Sequence, residues 1–517
     1  MNQPHVIVIG AGVGGLATAM RLAAGGARVT VLEALSAPGG KMRTVPSVAG
    51  PVDAGPTVLT MRWVFDDLFR ACGTRLEDHV TLTPAKTLAR HYWSDGTCLD
   101  LMADPDASRQ NVSDVFGSDS GRDFDRFSRR SRDLFNAFDA PMMRAKAPSS
   151  LSLTKTVLSQ PSLLAAMAPH QTLAKALRSQ FKEPKLRQLF GRYATYVGGS
   201  PFAAPALLSL IWHAEASGVW AVSGGMHRLA QAMADIVTSA GGNIIYDTAV
   251  TEIKEGSVET ATAEHHADAI VFNGDPRALE TGRLGASAKA AVPRSAVEPR
   301  SLSADVMSFA AVPQGPALSH HTVFFGDDPK DEFGPLAQGR IPDDPTLYIC
   351  AQDRGGGAMP DGPERFEIIM NAAPCGDHAT RHSERTSACR TRILSRLQQM
   401  GLTFSPVPQD SALTTPADFH RLFPGSLGSL YGRSPHGMTA GLKRPLARTR
   451  IKGLYLAGGG AHPGAGVPMA TLSGMHAAEA IATDLCLTST SRPTATRGGT
   501  STGSATTANA PSLSSPS

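Results

Sequence analysis

The chain opens on an apolar run, HVIVIG, then a segment with helical spacing, GGLATAMRLAAGG, then a second apolar run, RVTVLEA. Short continuous apolar runs mark strands buried on both faces, as in a parallel sheet, and the segment between them supplies the crossover helix. The pattern therefore predicts β-α-β over the N-terminal stretch. A related pattern follows in the middle of the chain. GGMHRLAQAMADIVTSAGG places Leu229, Met233, Ile236 and Val237 on one helical face and stops at paired glycines, and the strand-like NIIYDTAVTEIKEG and ADAIVFNGDP come after it. A third segment, IKGLYLAGGGAHPGAGVPMATLSGMHAAEAI, reads as a strand, a glycine run and a helix.

Between these segments, residues 90–215 read as mainly helical and residues 295–415 as mixed, with strands in TLYICAQD and RFEIIMNAAP. The organisation expected is a discontinuous nucleotide-binding domain from 1–90, 216–290 and 416–486, with a second domain built from 91–215 and 291–415. From 487 to 517 the chain is nearly all Ser, Thr, Ala, Gly and Pro, and such a tail cannot offset its own ordering entropy.

GAGVGG sets Gly10, Gly12 and Gly15 in G-x-G-x-x-G register after a strand and at the start of a helix. The first glycine makes the turn, the second lets backbone approach a pyrophosphate, and the third lets helix and strand pack closely. Glu33 closes the next strand about 20 residues on, where a carboxylate accepts ribose hydroxyls and repels a 2′-phosphate. The fingerprint alone does not separate FAD from NAD.

Composition narrows the remaining classes. Of 517 residues 42% are hydrophobic and 18% charged, below the ~25% of ordinary soluble proteins, which suits extra buried volume or a surface that meets something apolar. A net charge of +4, dispersed, gives no nucleic-acid footprint. The six cysteines form no C-x-x-C and no Cys/His grouping, so no metal is expected. The N-terminus shows no signal sequence, and no run reaches the ~18–20 apolar residues of a spanning helix. A cytoplasmic protein with peripheral contact to the inner membrane is the expectation.

After Glu33 the sequence adds a second Gly-Gly in SAPGGKMRT, then VDAGPTVLT and FDDLF. Further on come YATYVGGSPFAAPALLSLIWHAEASGVWAVSGGMHRLAQAM and GAHPGAGVPMA. These stretches resemble bacterial carotenoid desaturases of the phytoene desaturase type over roughly residues 1–485. In VGGSP, WHAEASGVW and GGM they look most like the 1-hydroxycarotenoid 3,4-desaturases, or methoxyneurosporene dehydrogenases, of purple photosynthetic bacteria. The resemblance implies an α/β fold: a Rossmann-like, discontinuous FAD-binding domain of the amine-oxidase/GDI two-domain type with an inserted α+β substrate domain. It implies FAD, contacted by Gly10, Gly12, Gly14, Gly15, Glu33, Gly40, Lys41, Arg43, Gly55, Thr57, Val250, Gly459, Gly460, Gly466, Val467 and Pro468. Lys41 stands where most relatives have Arg, and the acid that amine oxidases carry after the last strand is replaced by Gly458, Gly459 and Gly460.

The implied reaction is desaturation of an acyclic carotenoid at C3–C4, with hydride passing to flavin and the electrons then to a quinone or oxygen. Phytoene desaturation and non-catalytic prenyl-lipid carriage are the rival readings. A departing hydride leaves a delocalised cation, so a dedicated base is not required. His213 and Glu215, two positions apart, face different sides of a helix and read as capping or core contacts. His462, in the glycine run, is the candidate for a direct role and otherwise a turn residue before Pro463. Tyr193, Tyr196 and Trp212, with Arg192, are candidates to line a polyene channel or to fill an ordinary core. The leucines of 151–177 suit a membrane-facing entrance or a partly buried helical pair.

Truncation after Leu487 is expected to leave flavin content and desaturation at full-length levels, because the tail has no means of burying itself. Flavin absorbance and product formation of the shortened protein check this; a folded but inactive product would assign the tail a partner.

Overall fold

The computed structural model describes residues 3–159, 161–357, 359–374 and 382–487, so the expected tail beyond Leu487 lies outside the described residues. Five parallel strands make the first sheet: β1 (His5–Ile9), β2 (Arg28–Leu32), β3 (Asn243–Ile245), β4 (Ala269–Phe272) and β5 (Leu454–Leu456). They run in the order β5-β4-β1-β2-β3, so the first strand lies at the centre and the last at an edge. Val6 of β1 pairs with Val29 on one side and Ala269 on the other.

Helices α1 (Val13–Ala24), α2 (His227–Ser239) and α3 (Val467–Asp484) cover one face of this sheet. α1 packs on both α2 and α3, which explains why ten of its twelve residues are buried and its apolar stripe runs almost all round. The face predicted for α2 is the buried one: Leu229, Met233, Ile236 and Val237 join Val8, Leu16, Val31 and Ile481 in one core. The opposite sheet face is closed by Ile253 and Val258 of a three-stranded antiparallel sheet that follows β3.

The second sheet is larger and mostly antiparallel. Its strands run Thr403–Ser405, Ser303–Gln314, Glu364–Ala372, Leu347–Ala351, His321–Phe324, Thr87–Tyr92 and Cys98–Met102, with Leu413–Thr414 paired on Ser303–Gln314. Thr87–Tyr92 straddles the expected domain boundary at 90 and pairs entirely within this sheet. One face carries Met307, Phe309, Ile349, Phe366 and Ile368 against Cys389, Ile393 and Leu397 of the helix His382–Gln399. Alternation puts the intervening residues on the other face, toward the nucleotide-binding half at Val306 and Ile369 and toward the helical insert at Val323, Tyr348 and Cys350. There, in register across four strands, stand Ser308, Glu367, Cys350 and His321, and beside them Val306, Ile369, Tyr348 and Val323.

The helical insert has an aromatic core of Phe124, Phe127, Phe181, Phe190 and Trp212. It is tied back to the first half by the segment after Phe138. Arg144 lies 3.5 Å over the Trp63 ring, and the carbonyls of Ala145 and Arg144 sit 2.7 and 3.2 Å from Nε2 of His462 and His476.

Burial holds several of these histidines neutral. His476 is lowered to about 4 by desolvation and the neighbouring His462, and His91, packed against Phe325, is lowered to about 3 chiefly by desolvation. Between the ordinary value of 6.5 and these values the unfolded chain binds more protons than the folded one, so stability is lost as pH falls through that window. Thermal unfolding at pH 7 and pH 4.5 should show a lower Tm in acid, and His476→Gln should reduce the difference. A Tm independent of pH over this range would contradict the burial of these rings.

Candidate active site

The site is built where the chain's first and last α/β units meet. A Cβ on Gly14 would lie 2.5 Å from the nitrogen of Gly458, and a Cβ on Gly474 would lie 2.1 Å from the oxygen of Gly14. Thr18 Oγ1 donates to the carbonyls of both Gly14 and Gly474, at 2.9 and 3.0 Å. Only glycine permits this backbone-to-backbone approach of the two units. Asn273, at the end of β4, sits between the two glycine loops and donates from Nδ2 to the Gly10 oxygen at 3.1 Å. The sequence reading passed over it, although its place at the carboxyl end of a parallel strand was a usable signal.

Glu33, 5% exposed, accepts from the backbone N–H of Ala11 at 2.5 Å and of Leu35 at 2.8 Å. Desolvation raises its pKa, and the N–H groups of Leu35, Ala11 and Ala34 oppose that rise. A carboxylate offers about four lone-pair sites, so these two bonds leave acceptor capacity for a ligand's hydroxyls while tying β2 to the glycine loop. The second Gly-Gly lies against the first: Gly39 N–H donates to the Ala11 carbonyl at 2.8 Å. At Gly55 a Cβ would meet the Lys41 oxygen at 1.9 Å.

The basic pair after that Gly-Gly makes protein contacts. Lys41 Nζ donates to the Leu430 carbonyl at 2.5 Å and lies 5.7 Å from the Phe423 ring centroid, and desolvation lowers it to about 8. Arg43 donates to Thr414 Oγ1 at 2.6 Å and lies over Phe419. The sequence reading missed a buried cation: Arg444 donates to the carbonyls of Gly459 and Tyr431, each at 2.8 Å, and so fixes the last glycine run. It also missed Asp275, which pairs with Arg300 and lines the site. This acid lies in the loop after β4, whereas the run after β5 has none.

These elements enclose a cavity of about 740 Å³. One end is walled by Gly10–Gly14, Glu33 and Val250, the middle by Gly40, Lys41, Gly55, Gly459 and Gly460, and the amino end of α3 opens on it through Gly466 and Val467. The far end is apolar: Val306 and Ile369 from the second sheet, with Phe419, Phe423 and Leu430. Two long helices thus present their N-termini to one space, the geometry that holds a pyrophosphate and stabilises negative charge. The glycine cradle, the spare acceptor capacity of Glu33 and the volume of the cavity fit FAD.

Gly15, Arg43, Thr57 and Pro468 stand just behind the lining. Thr57 turns away and hydrogen-bonds Tyr348 Oη at 2.7 Å. His462 is also off the cavity, since its Nε2 is committed to Ala145. Tyr193 and Tyr196 donate to the two oxygens of buried Glu215, at 2.8 and 2.6 Å, and Trp212 donates to Ser128 within the aromatic core. None of the three touches the large cavity. Among the described residues one group, His320, His321 and Cys350, brings potential metal-ligand atoms within 4.8 Å of one another. Burial pushes the Cys350 thiol well above its ordinary value, away from the thiolate a metal would require.

Replacing Glu33 by Ala removes the acceptor for Ala11 N–H and for ligand hydroxyls, charge-assisted bonds worth roughly 1.5–3 kcal/mol each. The flavin-to-protein ratio of the purified variant should fall well below that of the unaltered protein; an unchanged ratio would show that Glu33 does not serve the cofactor.

The model of the flavin containing amine oxidoreductases matches residues 13–482. The hydroxyneurosporene desaturase of Cereibacter sphaeroides is 56% identical over 488 residues, covering 93% of this chain and 98% of its own. That of Rhodobacter capsulatus is 50% identical over 489 residues with the same coverage. Among solved structures, a redesigned putrescine oxidase superposes with a TM-score of 0.59 at 14% identity, covering 93% of this chain and 99% of its own. Cyclohexylamine oxidase from Brevibacterium oxydans gives 0.55 at 18%, covering 94% and 100%. At such identities the structures speak to the fold, and the family match and close relatives to membership. The chain belongs to the flavin-containing amine oxidoreductase family, on its carotenoid-desaturase branch.

Proposed function

We propose that the protein is an FAD-dependent desaturase that introduces the 3,4 double bond into an acyclic carotenoid carrying oxygen at C1, 1-hydroxyneurosporene or its methoxy analogue, in spheroidene-type biosynthesis. The observation that carries this reading is that one cavity is walled both by the glycine loops and by Val306, Ile369, Phe419, Phe423 and Leu430. A dinucleotide suits the first half, and a polyene, apolar and long, suits the second. The names of the close relatives support the substrate.

Bound FAD supplies the hydride acceptor. The chain's residues do the rest. Arg444 and Asn273 fix the glycine loops, the α3 N-terminus supplies positive potential where negative charge develops, and the aliphatic and aromatic wall keeps water from the reacting carbons. Lys41 and Arg43, held beneath Phe423 and Phe419, join the glycine loop to the apolar wall, so the two halves of the site are set relative to one another.

The described residues contain no helix long and apolar enough to cross a membrane. Leu151, Leu158 and Leu164 are 81, 74 and 53% exposed on the short helices Ser150–Ser159 and Pro161–Met167. A lightly charged apolar surface of this kind supports peripheral contact with the cytoplasmic face of the inner membrane, from which the substrate would be drawn.

The test is to supply phytoene and 1-hydroxyneurosporene separately to the FAD-loaded protein and read product absorption. Conversion of the hydroxylated substrate, with a one-double-bond red shift and little reaction of phytoene, is expected, because a site that hydrogen-bonds an oxygen rejects the analogue lacking it by orders of magnitude. Efficient conversion of phytoene alone would move the protein to phytoene desaturation, and a purified protein without flavin would favour the lipid-carrier reading.

A further inference from the structure

An oxygen on C1 of the substrate lies three bonds from C3, roughly 4 Å when the chain is extended. A group that recognises it must therefore sit beside the reacting carbons, where the glycine cradle gives way to the apolar wall. Tyr431 stands at that junction. The carbonyl of Leu430, just before it, accepts from Lys41 Nζ, and its own carbonyl accepts from Arg444, which also holds Gly459. Just after it, a Cβ on Gly432 would lie 3.1 Å from Gly460 Cα. Leu430, Tyr431 and Gly432 all border the large cavity.

The Tyr431 backbone is fully engaged, since its N–H donates to Ser301 Oγ at 3.2 Å. One ring edge is packed closely, for a Cβ on Gly198 would come within 2.5 Å of Cδ2. The hydroxyl is left over. It has no hydrogen-bond partner among the described residues, and it is not one of the polar atoms sealed inside the protein. The other side-chain donors on the cavity wall are engaged or lie in solvent. Thr248, Thr251, Asn273 and Lys41 donate to the carbonyls of Tyr246, Glu259, Gly10 and Leu430, and Arg283 is exposed. We infer that the Tyr431 hydroxyl donates a hydrogen bond to the oxygen on C1 of the carotenoid and is the specificity-determining group of this site. A phenol O–H donates to a hydroxyl and to an ether oxygen alike, which suits both the hydroxy and the methoxy substrate. Burial pushes the phenol up to about 12, with Arg192 opposing the rise and Glu367 adding to it, so the proton to be donated is retained at neutral pH. A polyene without the oxygen would exclude water from the hydroxyl and offer it no partner, which is costly.

The assignment rests on the reading of the substrate as a C1-oxygenated carotenoid. Tyr431→Phe removes one oxygen atom and no bond within the protein, so Tm and flavin content should match those of the unaltered enzyme. The kcat/KM for 1-hydroxyneurosporene and for its methoxy analogue should each fall roughly 10- to 100-fold. A second measurement is independent of turnover: the dissociation constant of each carotenoid, read by quenching of protein fluorescence in the FAD-loaded enzyme. It should rise for both oxygenated ligands and stay the same or fall for the same polyene lacking the C1 oxygen. A role in packing alone would weaken all three ligands in parallel, and that result would overturn the assignment. A loss confined to the hydroxylated ligand would also overturn it, because a donated bond serves the ether equally. So would a fall in flavin content, which would give the hydroxyl to the cofactor. An unaltered enzyme that converts no C1-oxygenated carotenoid sinks the substrate reading and the assignment with it. An unaltered enzyme that converts them, with Tyr431→Phe keeping the full preference, sinks the assignment alone.

Discussion

The structure depends on the absence of side chains at one crossing, where the backbone of α1 at Gly14 meets Gly458 after β5 and Gly474 on α3. The contact joins residues more than four hundred positions apart and leaves no room for a methyl group. Because the helices approach so closely, both N-termini open on the same cavity, and the Thr18 hydroxyl can reach two carbonyls from different ends of the chain. Around that contact are gathered the β1 loop, the second Gly-Gly bonded to it, and the Arg444 guanidinium that fixes the last glycines.

The second sheet meets this frame with one apolar face and one mixed face. Its apolar face is an ordinary core closed by the helix His382–Gln399. The mixed face carries Ser308, Glu367, Cys350 and His321 in one cross-strand row and Val306, Ile369, Tyr348 and Val323 in the next. Desolvation raises the Glu367 carboxyl well above its ordinary value, with Asp53 adding to the rise while Arg43 and the Gly55 N–H oppose it. A row of buried polar groups lowers stability; in the neighbouring row Val306 and Ile369 face the large cavity, while Tyr348 holds Thr57 through its hydroxyl.

The parallel sheet, the faces of α1 and α2, and the glycine loops were legible because period and punctuation are local properties of the sequence. Leu229, Met233, Ile236 and Val237 announce a buried helical face without reference to anything distant. The strands TLYICAQD and RFEIIMNAAP were legible for the same reason, but their partners were not, since cross-strand register is set by residues from Thr87 to Leu413. Asn273 acts through a carbonyl 263 positions away, and its place at the carboxyl end of β4 was its one local signal, whereas nothing in the neighbourhoods of Asp275 and Arg444 marks the pairings they make. Lys41 and Arg43 were expected to contact FAD; the fold gives them Leu430, Thr414 and two phenyl rings as immediate protein neighbours, with Lys41 on the cavity wall and Arg43 just behind it. The aromatic block was ambiguous between channel and core, and Glu215, buried and bonded to both tyrosines, sets where those rings point.

The wall that completes the cofactor cradle is also the last described part of the chain to be made. β5 and α3 close the sheet and supply Gly458–Gly460, yet their partner loop after β1 leaves the ribosome first. At about 5–20 residues per second, the gap between the two is on the order of tens of seconds. During that interval the nascent N-terminal unit has an exposed glycine loop, an unpaired flank on α1 and no closed cavity. The complete flavin cavity therefore exists only after β5 and α3 have been made.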